Sequence, residues 1–175
     1  LKVKQPGRWL DCGPLGCLGV GVPFAIGAKL ACPDSTVLAL AGDGSFGFGA
    51  MEMDTAVRFR IPIVVVVANN GAWNIERHDQ LKNYGRVVAS ELGFSRYDEM
   101  VISLGGFGVL VEKPDQIRPA LEEAIASQEP ALVNVILDRE AESSDAKSGL
   151  GMVPDYQPLS VWDQREREMI SAQNK

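Results

Sequence analysis

The run Ile63-Val64-Val65-Val66-Val67-Ala68 leaves few folds open to this chain. Its β-branched side chains are stiff at χ1 and suit a pleated strand better than a helix. Apolar and polar residues do not alternate along it, so it reads as a strand buried on both faces, as in a parallel sheet covered by helices. Extended back to Ile61 it is the longest apolar stretch of the chain, yet far short of the roughly 20 residues that a membrane span requires.

A second apolar run, Thr36 to Ala41, is bounded by turn residues and also reads as a strand buried on both faces. Between the two, Ala50 to Arg60 holds good helix formers with Met51, Thr55 and Arg58 at helical spacing, and Pro62 restarts the chain. The unit is therefore β-α-β. Upstream, Gly13 to Gly27 is glycine-rich, and Pro23 to Leu30 reads as a helix that stops near Pro33. Downstream, the pattern predicts a helix over Tyr97 to Leu104, a strand over Phe107 to Val111, an amphipathic helix over Asp115 to Ser127 and a strand over Ala131 to Leu137. This alternation implies an α/β fold: a doubly wound, mostly parallel sheet with helices on both faces. Ligands in such sheets collect beyond the carboxyl ends of the strands.

With 46% hydrophobic and 23% charged residues, the chain suits one globular domain. We place it over residues 1–140, followed by a polar tail over 141–175 whose apolar positions include Val161-Trp162 and Met169-Ile170. A net charge of -6 without a basic run argues against nucleic-acid binding. Leu1 to Pro6 carries no apolar signal core and the chain does not begin with Met, so it reads as a piece of a longer, cytoplasmic polypeptide. Cys12, Cys17 and Cys32 lack Cys-x-x-Cys spacing and lie far from His78 in sequence, which suits reduced thiols better than a zinc site.

The first strand runs into Gly42-Asp43-Gly44-Ser45-Phe46-Gly47, which has the form of the G-x-G-x-x-G dinucleotide fingerprint. A dinucleotide site meets the pyrophosphate with bare backbone, whereas Asp43 would set a carboxylate against two phosphates. The second strand ends in Asn69-Asn70-Gly71 rather than in an acid that grips a ribose. A dinucleotide-binding oxidoreductase is thus the disfavoured alternative. A divalent cation reconciles both departures, because Mg²⁺ combines one or two protein oxygens with water and phosphate oxygens. Asp43 and Asn70 follow successive strands and supply such oxygens, while Gly42 and Gly44 permit a tight approach.

Gly42-Asp43-Gly44-Ser45, a spacer and then Asn69-Asn70 together resemble the signature of thiamine diphosphate-dependent enzymes. The resemblance covers roughly Leu10 to Asp138. It implies that Asp43, Asn70 and the backbone carbonyl of Ala72 hold Mg²⁺, with Gly42, Gly44 and Ser45 beside the cofactor. Gly13-Pro14-Leu15-Gly16-Cys17-Leu18-Gly19-Val20-Gly21-Val22-Pro23 is similar to the Gly-Leu-Gly-Thr-Met-Gly-Phe-Gly-Leu-Pro stretch of acetohydroxyacid synthases. There the resemblance implies that the Gly16 carbonyl meets the exocyclic amine of the cofactor and that Leu18 props it in a bent form, with Cys17 between them. Phe46 to Glu52 looks like the matching segment of oxalyl-CoA decarboxylases and 2-hydroxyacyl-CoA lyases, while Gly44 is closer to benzaldehyde lyase and acetohydroxyacid synthase.

The family resemblance implies a lyase or transferase that cleaves or forms a C–C bond beside a carbonyl: a 2-keto acid decarboxylase, an acetolactate synthase-like carboligase or a 2-hydroxyacyl lyase. Its substrate would be a small 2-keto acid, aldehyde or acyl-CoA. In the family the Glu that activates the cofactor's pyrimidine lies on an N-terminal domain, usually from another subunit of a homodimer or homotetramer, and nothing here matches it. A non-catalytic thiamine diphosphate-binding module is the second alternative. Asn70 to Glu76 resembles the Asn-Tyr-Gly-Tyr-Thr-Ile-Glu of pyruvate decarboxylases, which implies a proton-transfer role for Glu76; a solvated carboxylate beside Arg77 on a helix is the other reading. Trp73 either lines the substrate pocket or packs its loop. Apolar surface around Leu15, Leu18 and Phe46 is expected to face a missing partner domain.

Overall fold

The structure, a computed structural model, describes residues 6–13 and 15–141 together with 164 and 168. The chain divides into two compact units, Leu1–Arg139 and Glu140–Lys175. Nearly all of the second unit, including Val161-Trp162 and Met169-Ile170, lies outside the described residues, and so does the opening stretch up to Gln5. Within it, the Gln164 amide donates to Glu168 at 3.1 Å.

The first unit is built on four parallel strands in the spatial order β1 (Leu38–Gly42), β2 (Val64–Asn69), β4 (Ala131–Ile136), β3 (Phe107–Val111). Register is continuous across the sheet: Leu40 lies beside Val66, Val66 beside Val133, and Val133 beside Val109. One face meets α1 (Gly21–Ala31), α2 (Asp43–Gly49), α3 (Glu52–Arg58) and α5 (Tyr97–Leu104), with Val22, Phe46, Met53, Val65, Val67, Val101 and Leu132 in the core between. The other face carries α6 (Ile117–Ala126), which seats Ala120 and Ala124 on Val64, Val111, Ala131 and Val133. Helices on both faces of a parallel sheet are what the alternating pattern predicts. Burial of each core Val or Leu is worth about 2 kcal/mol, so these faces carry the fold.

Local chemistry explains where the elements stop. The ammonium of Lys29 donates to the carbonyls of Pro33 at 2.7 Å and Ser35 at 2.8 Å, closing the end of α1. Pro62 cannot continue α3, and the chain re-enters the sheet after Arg60 at φ 52°. Helix α6 begins from a 3-10 turn at Pro114–Gln116, where the Gln116 side chain accepts from the Glu112 and Lys113 N–H groups at 3.0 and 2.9 Å.

Three expectations need correction. Strand β1 is not buried on both faces: it is the edge strand, and Leu38 and Leu40 are 47% and 57% exposed where α6 does not reach. Phe46 is not surface but core, packed edge-on against Tyr97 with ring centroids 5.2 Å apart. The single helix expected over Ala50 to Arg60 is two helices, because α2 starts directly at Asp43 at the end of β1 and α3 follows at Glu52. The helix α4 (Asn74–Tyr84), closed by left-handed Gly85, has no counterpart among the predicted elements beyond the possibility that Glu76 and Arg77 share one. Among the described residues no helix is long and apolar enough to cross a membrane.

Candidate functional site

Because the strands are parallel and in register, the carboxyl ends of β1 and β2 lie side by side, with Gly42 opposite Ala68. The residues that follow are Asp43 and Asn70, so the sheet itself brings the two candidate ligands to one edge. Their meeting point is the backbone N–H of Ala72. It donates to Oδ2 of Asp43 and to Oδ1 of Asn70, both at 3.2 Å. Two oxygens that share one donor hydrogen converge on a small volume of space.

Asp43 is only 2% exposed. Burial pushes its carboxyl above the ordinary value, against the pull of the Gly44, Asp43, Ala72 and Gly71 N–H groups. Among the described residues no Lys or Arg side chain forms an ion pair with it. A buried carboxylate answered only by neutral donors is costly unless a cation reaches it.

The loop after β2 presents its groups unequally. The Asn69 carbonyl accepts from the Leu137 N–H at 2.8 Å and the Gly71 carbonyl from the Leu92 N–H at 2.7 Å, whereas no described backbone N–H donates to the carbonyl of Ala72. Gly71 sits at φ 63°, a left-handed conformation that favours glycine. The two asparagines separate in role. Asn70 turns its side chain toward Asp43, while Asn69 is wholly buried, donating to Asn134 Oδ1 at 3.1 Å and to the Ser95 carbonyl at 3.0 Å. Buried carboxylate, amide oxygen and open carbonyl form an all-oxygen donor set, which suits a hard divalent cation.

The other candidate residues fall into two groups. Gly44 lies buried under the indole of Trp73: a Cβ there would stand 2.7 Å from Cε3. Trp73 also leans on Phe48, ring centroids 5.5 Å apart, so it does pack its loop. Ser45 is half-buried, and its Oγ accepts from the Gly19 N–H at 3.3 Å. Gly19 in turn presses its backbone against Gly49, with no room for a side chain at either. Through these contacts the segment holding Gly16, Cys17 and Leu18 is tied to α2, and all three residues are exposed. Gly42 is exposed at the strand end. Glu76 is exposed in the first turn of α4, and His78 is half-buried on the same helix.

Two site residues were not singled out from the sequence. Asn134 is one, a polar position in an otherwise apolar strand; Arg139 is the other, three residues beyond the end of β4 at the same edge of the sheet. The rule that ligands gather at the carboxyl ends of strands points to Arg139 once it is applied to the last strand as well as to the first two.

Comparison with known proteins identifies the family that shares this sequence and fold. Residues 1–135 match the family described as "Thiamine pyrophosphate enzyme, C-terminal TPP binding domain". A probable acetolactate synthase of Mycobacterium bovis is 53% identical over 134 residues, covering 76% of this chain and 24% of that protein. Human 2-hydroxyacyl-CoA lyase 2 is 40% identical over 144 residues, covering 79% and 23% respectively. A solved structure, the Rhodococcus jostii RHA1 thiamine diphosphate-dependent 4-hydroxybenzoylformate decarboxylase, superposes with a TM-score of 0.66 at 30% identity, over 71% of this chain and 24% of that one. The chain thus spans about a quarter of the length of these relatives. Parallel sheet, site geometry and sequence identity lead to one conclusion: the chain belongs to the thiamine pyrophosphate enzymes, as their C-terminal, cofactor-binding domain.

Proposed function

We propose that this domain holds the diphosphate of thiamine diphosphate through a Mg²⁺ ion ligated by Asp43, Asn70 and the carbonyl of Ala72. The observation that carries the reading is the single Ala72 N–H shared by Asp43 Oδ2 and Asn70 Oδ1 at 3.2 Å. It aims a buried carboxylate and an amide oxygen at one point, next to a carbonyl that no described backbone N–H occupies. Gly42, Gly44 and Ser45 line the diphosphate end in this reading, with Gly16, Cys17 and Leu18 toward the rings.

When bound, thiamine diphosphate supplies a nucleophilic carbon and an electron sink for chemistry beside a carbonyl. This chain's residues supply position and charge. Asp43 and Asn70 orient the metal, and Trp73 fixes α2 against the β2 loop. Glu76, exposed on α4, is the candidate for holding or passing a proton.

For the protein that carries this domain we infer cleavage or formation of a C–C bond next to a carbonyl. Support comes from the relatives named acetolactate synthase, 2-hydroxyacyl-CoA lyase and 4-hydroxybenzoylformate decarboxylase. The reading extends to a small 2-keto acid, aldehyde or acyl-CoA substrate, a pyrimidine-binding N-terminal domain, a homodimer or homotetramer and a cytoplasmic location. The test is a thiamine diphosphate titration of the full-length protein with Mg²⁺ and then with excess chelator. Tight binding only with metal is expected, and equal affinity in both would falsify the metal bridge.

A further inference from the structure

The β2 loop is held from outside as well as from within. Arg139 reaches back over it, donating from Nε to the Asn70 carbonyl at 3.1 Å and from Nη2 to the Gly71 carbonyl at 2.9 Å. Nη2 also serves the Leu92 carbonyl at 3.1 Å, while Nη1 lies 3.6 Å from Glu91. The guanidinium is stacked 5.1 Å over the ring of Phe94. The contact runs both ways, because the Asn74 amide donates to the backbone carbonyl of Arg139 at 2.9 Å. Neighbouring carbonyls on one loop call for a planar fork of fixed spacing, which guanidinium has and ammonium lacks. Gly71 is matched to it: a Cβ there would stand 2.6 Å from Nη2.

These contacts bear directly on the proposed ligands. The Gly71 carbonyl and the Ala72 N–H belong to one trans peptide, so the carbonyl held by Arg139 turns the N–H the opposite way, at Asp43 and Asn70. The carbonyl of Ala72, on the following peptide, accepts from no described backbone N–H. We propose that Arg139 is a positioning residue of the metal site, clasping the loop 70–72 so that the Asn70 side chain and the Ala72 carbonyl are set before the ion arrives. The inference rests on the metal-site reading given above. Outer partners of this kind are oriented toward the ligands rather than toward the metal, and their loss weakens binding without removing a ligand.

The experiment compares wild-type, Arg139→Ala, Arg139→Lys and Asp43→Ala forms of the full-length protein. Mn²⁺ binding is followed by electron paramagnetic resonance in the presence of thiamine diphosphate, alongside urea denaturation without ligands. Arg139→Ala is expected to weaken Mn²⁺ binding by about tenfold or more, with full cofactor occupancy restored at saturating metal. Arg139→Lys should recover only part of that loss. If Arg139→Ala does not fold, the Lys variant carries the same comparison. Wild-type Mn²⁺ affinity in the folded Arg139 variant, with Asp43→Ala defective, overturns the clasp and leaves the metal site standing. Wild-type affinity in Asp43→Ala overturns the metal site itself.

Discussion

At Asp43, stability and binding pull in opposite directions. Its carboxylate is nearly inaccessible, and burial raises it above the ordinary range despite four backbone donors. Asp43→Asn keeps an oxygen for the Ala72 N–H and removes the buried charge. The variant should therefore lose metal-dependent cofactor retention while the metal-free protein gains on the order of 1 kcal/mol, read from urea midpoints without ligands. A metal-free protein that is markedly weakened would show that the carboxylate supports the fold. Gly44→Ala acts by volume instead. Its methyl would meet the Trp73 ring at 2.7 Å, and displacing that indole should cost about 1–3 kcal/mol and loosen the contact between α2 and the β2 loop. Fluorescence of Trp73 and the denaturation midpoint should shift together. The Asp43 and Asn70 pairing was legible because charge chemistry alone excludes a bare carboxylate against phosphate. The role of Asn69 was not, since adjacent identical residues in sequence say nothing of which one a strand end turns inward.

Three elements meet in a buried polar network beneath the site. Asn134 on β4 donates to Asp98 Oδ1 at 2.9 Å and to the Ser95 carbonyl at 3.0 Å, and accepts from Asn69 at the end of β2. Asp98, in the first turn of α5, is completed by Arg96 at 2.7 Å. Asn134→Leu leaves Asn69 and Asp98 short of partners in a dry interior, so a loss of about 3 kcal/mol is expected in the denaturation free energy. Acid should expose the same network. For Asp98 burial is the largest influence and raises the carboxyl, but the bonds from Arg96 and Asn134 outweigh it and hold it below 3.8. A carboxyl lowered on folding adds stability that is complete above its unfolded value and disappears as pH falls through the folded one. Asp98→Asn should therefore lower the urea midpoint at pH 7 but flatten its decline below pH 4, and parallel curves for wild type and variant would exclude the network from acid sensitivity. The strands and α5 that frame this network were readable from β-branched runs and turn residues. Helix α4 was not, because its sequence is polar almost throughout and offers no apolar stripe to detect.

At the scale of the whole unit, the sheet is covered unevenly. On one face four helices meet it, while on the other α6 seats itself over β3 and β4 and stops short of β1. Hydrophobicity alone gave no warning of this, since Leu38 and Leu40 look like core residues in the sequence and are exposed because α6 stops short of their face of β1. Among the described residues the strand pairs with β2 on one side only, so its other edge has no described strand partner for its N–H and C=O groups, beside two exposed leucines. Open apolar edges of this kind recruit further strands. The 175-residue chain on its own is thus expected to self-associate with rising concentration, through β1 in preference to the exposed Leu15 and Leu18. Leu40→Lys tests the location. Because Leu40 is already 57% exposed, the change should alter fold stability by no more than about 0.5 kcal/mol, while a charge on the edge opposes strand addition. Sedimentation velocity across a concentration series should show the wild-type weight-average coefficient rising and that of Leu40→Lys staying near the monomer value. Equal rises in both would move the contact away from β1, and a Leu18→Lys variant would then be expected to abolish it.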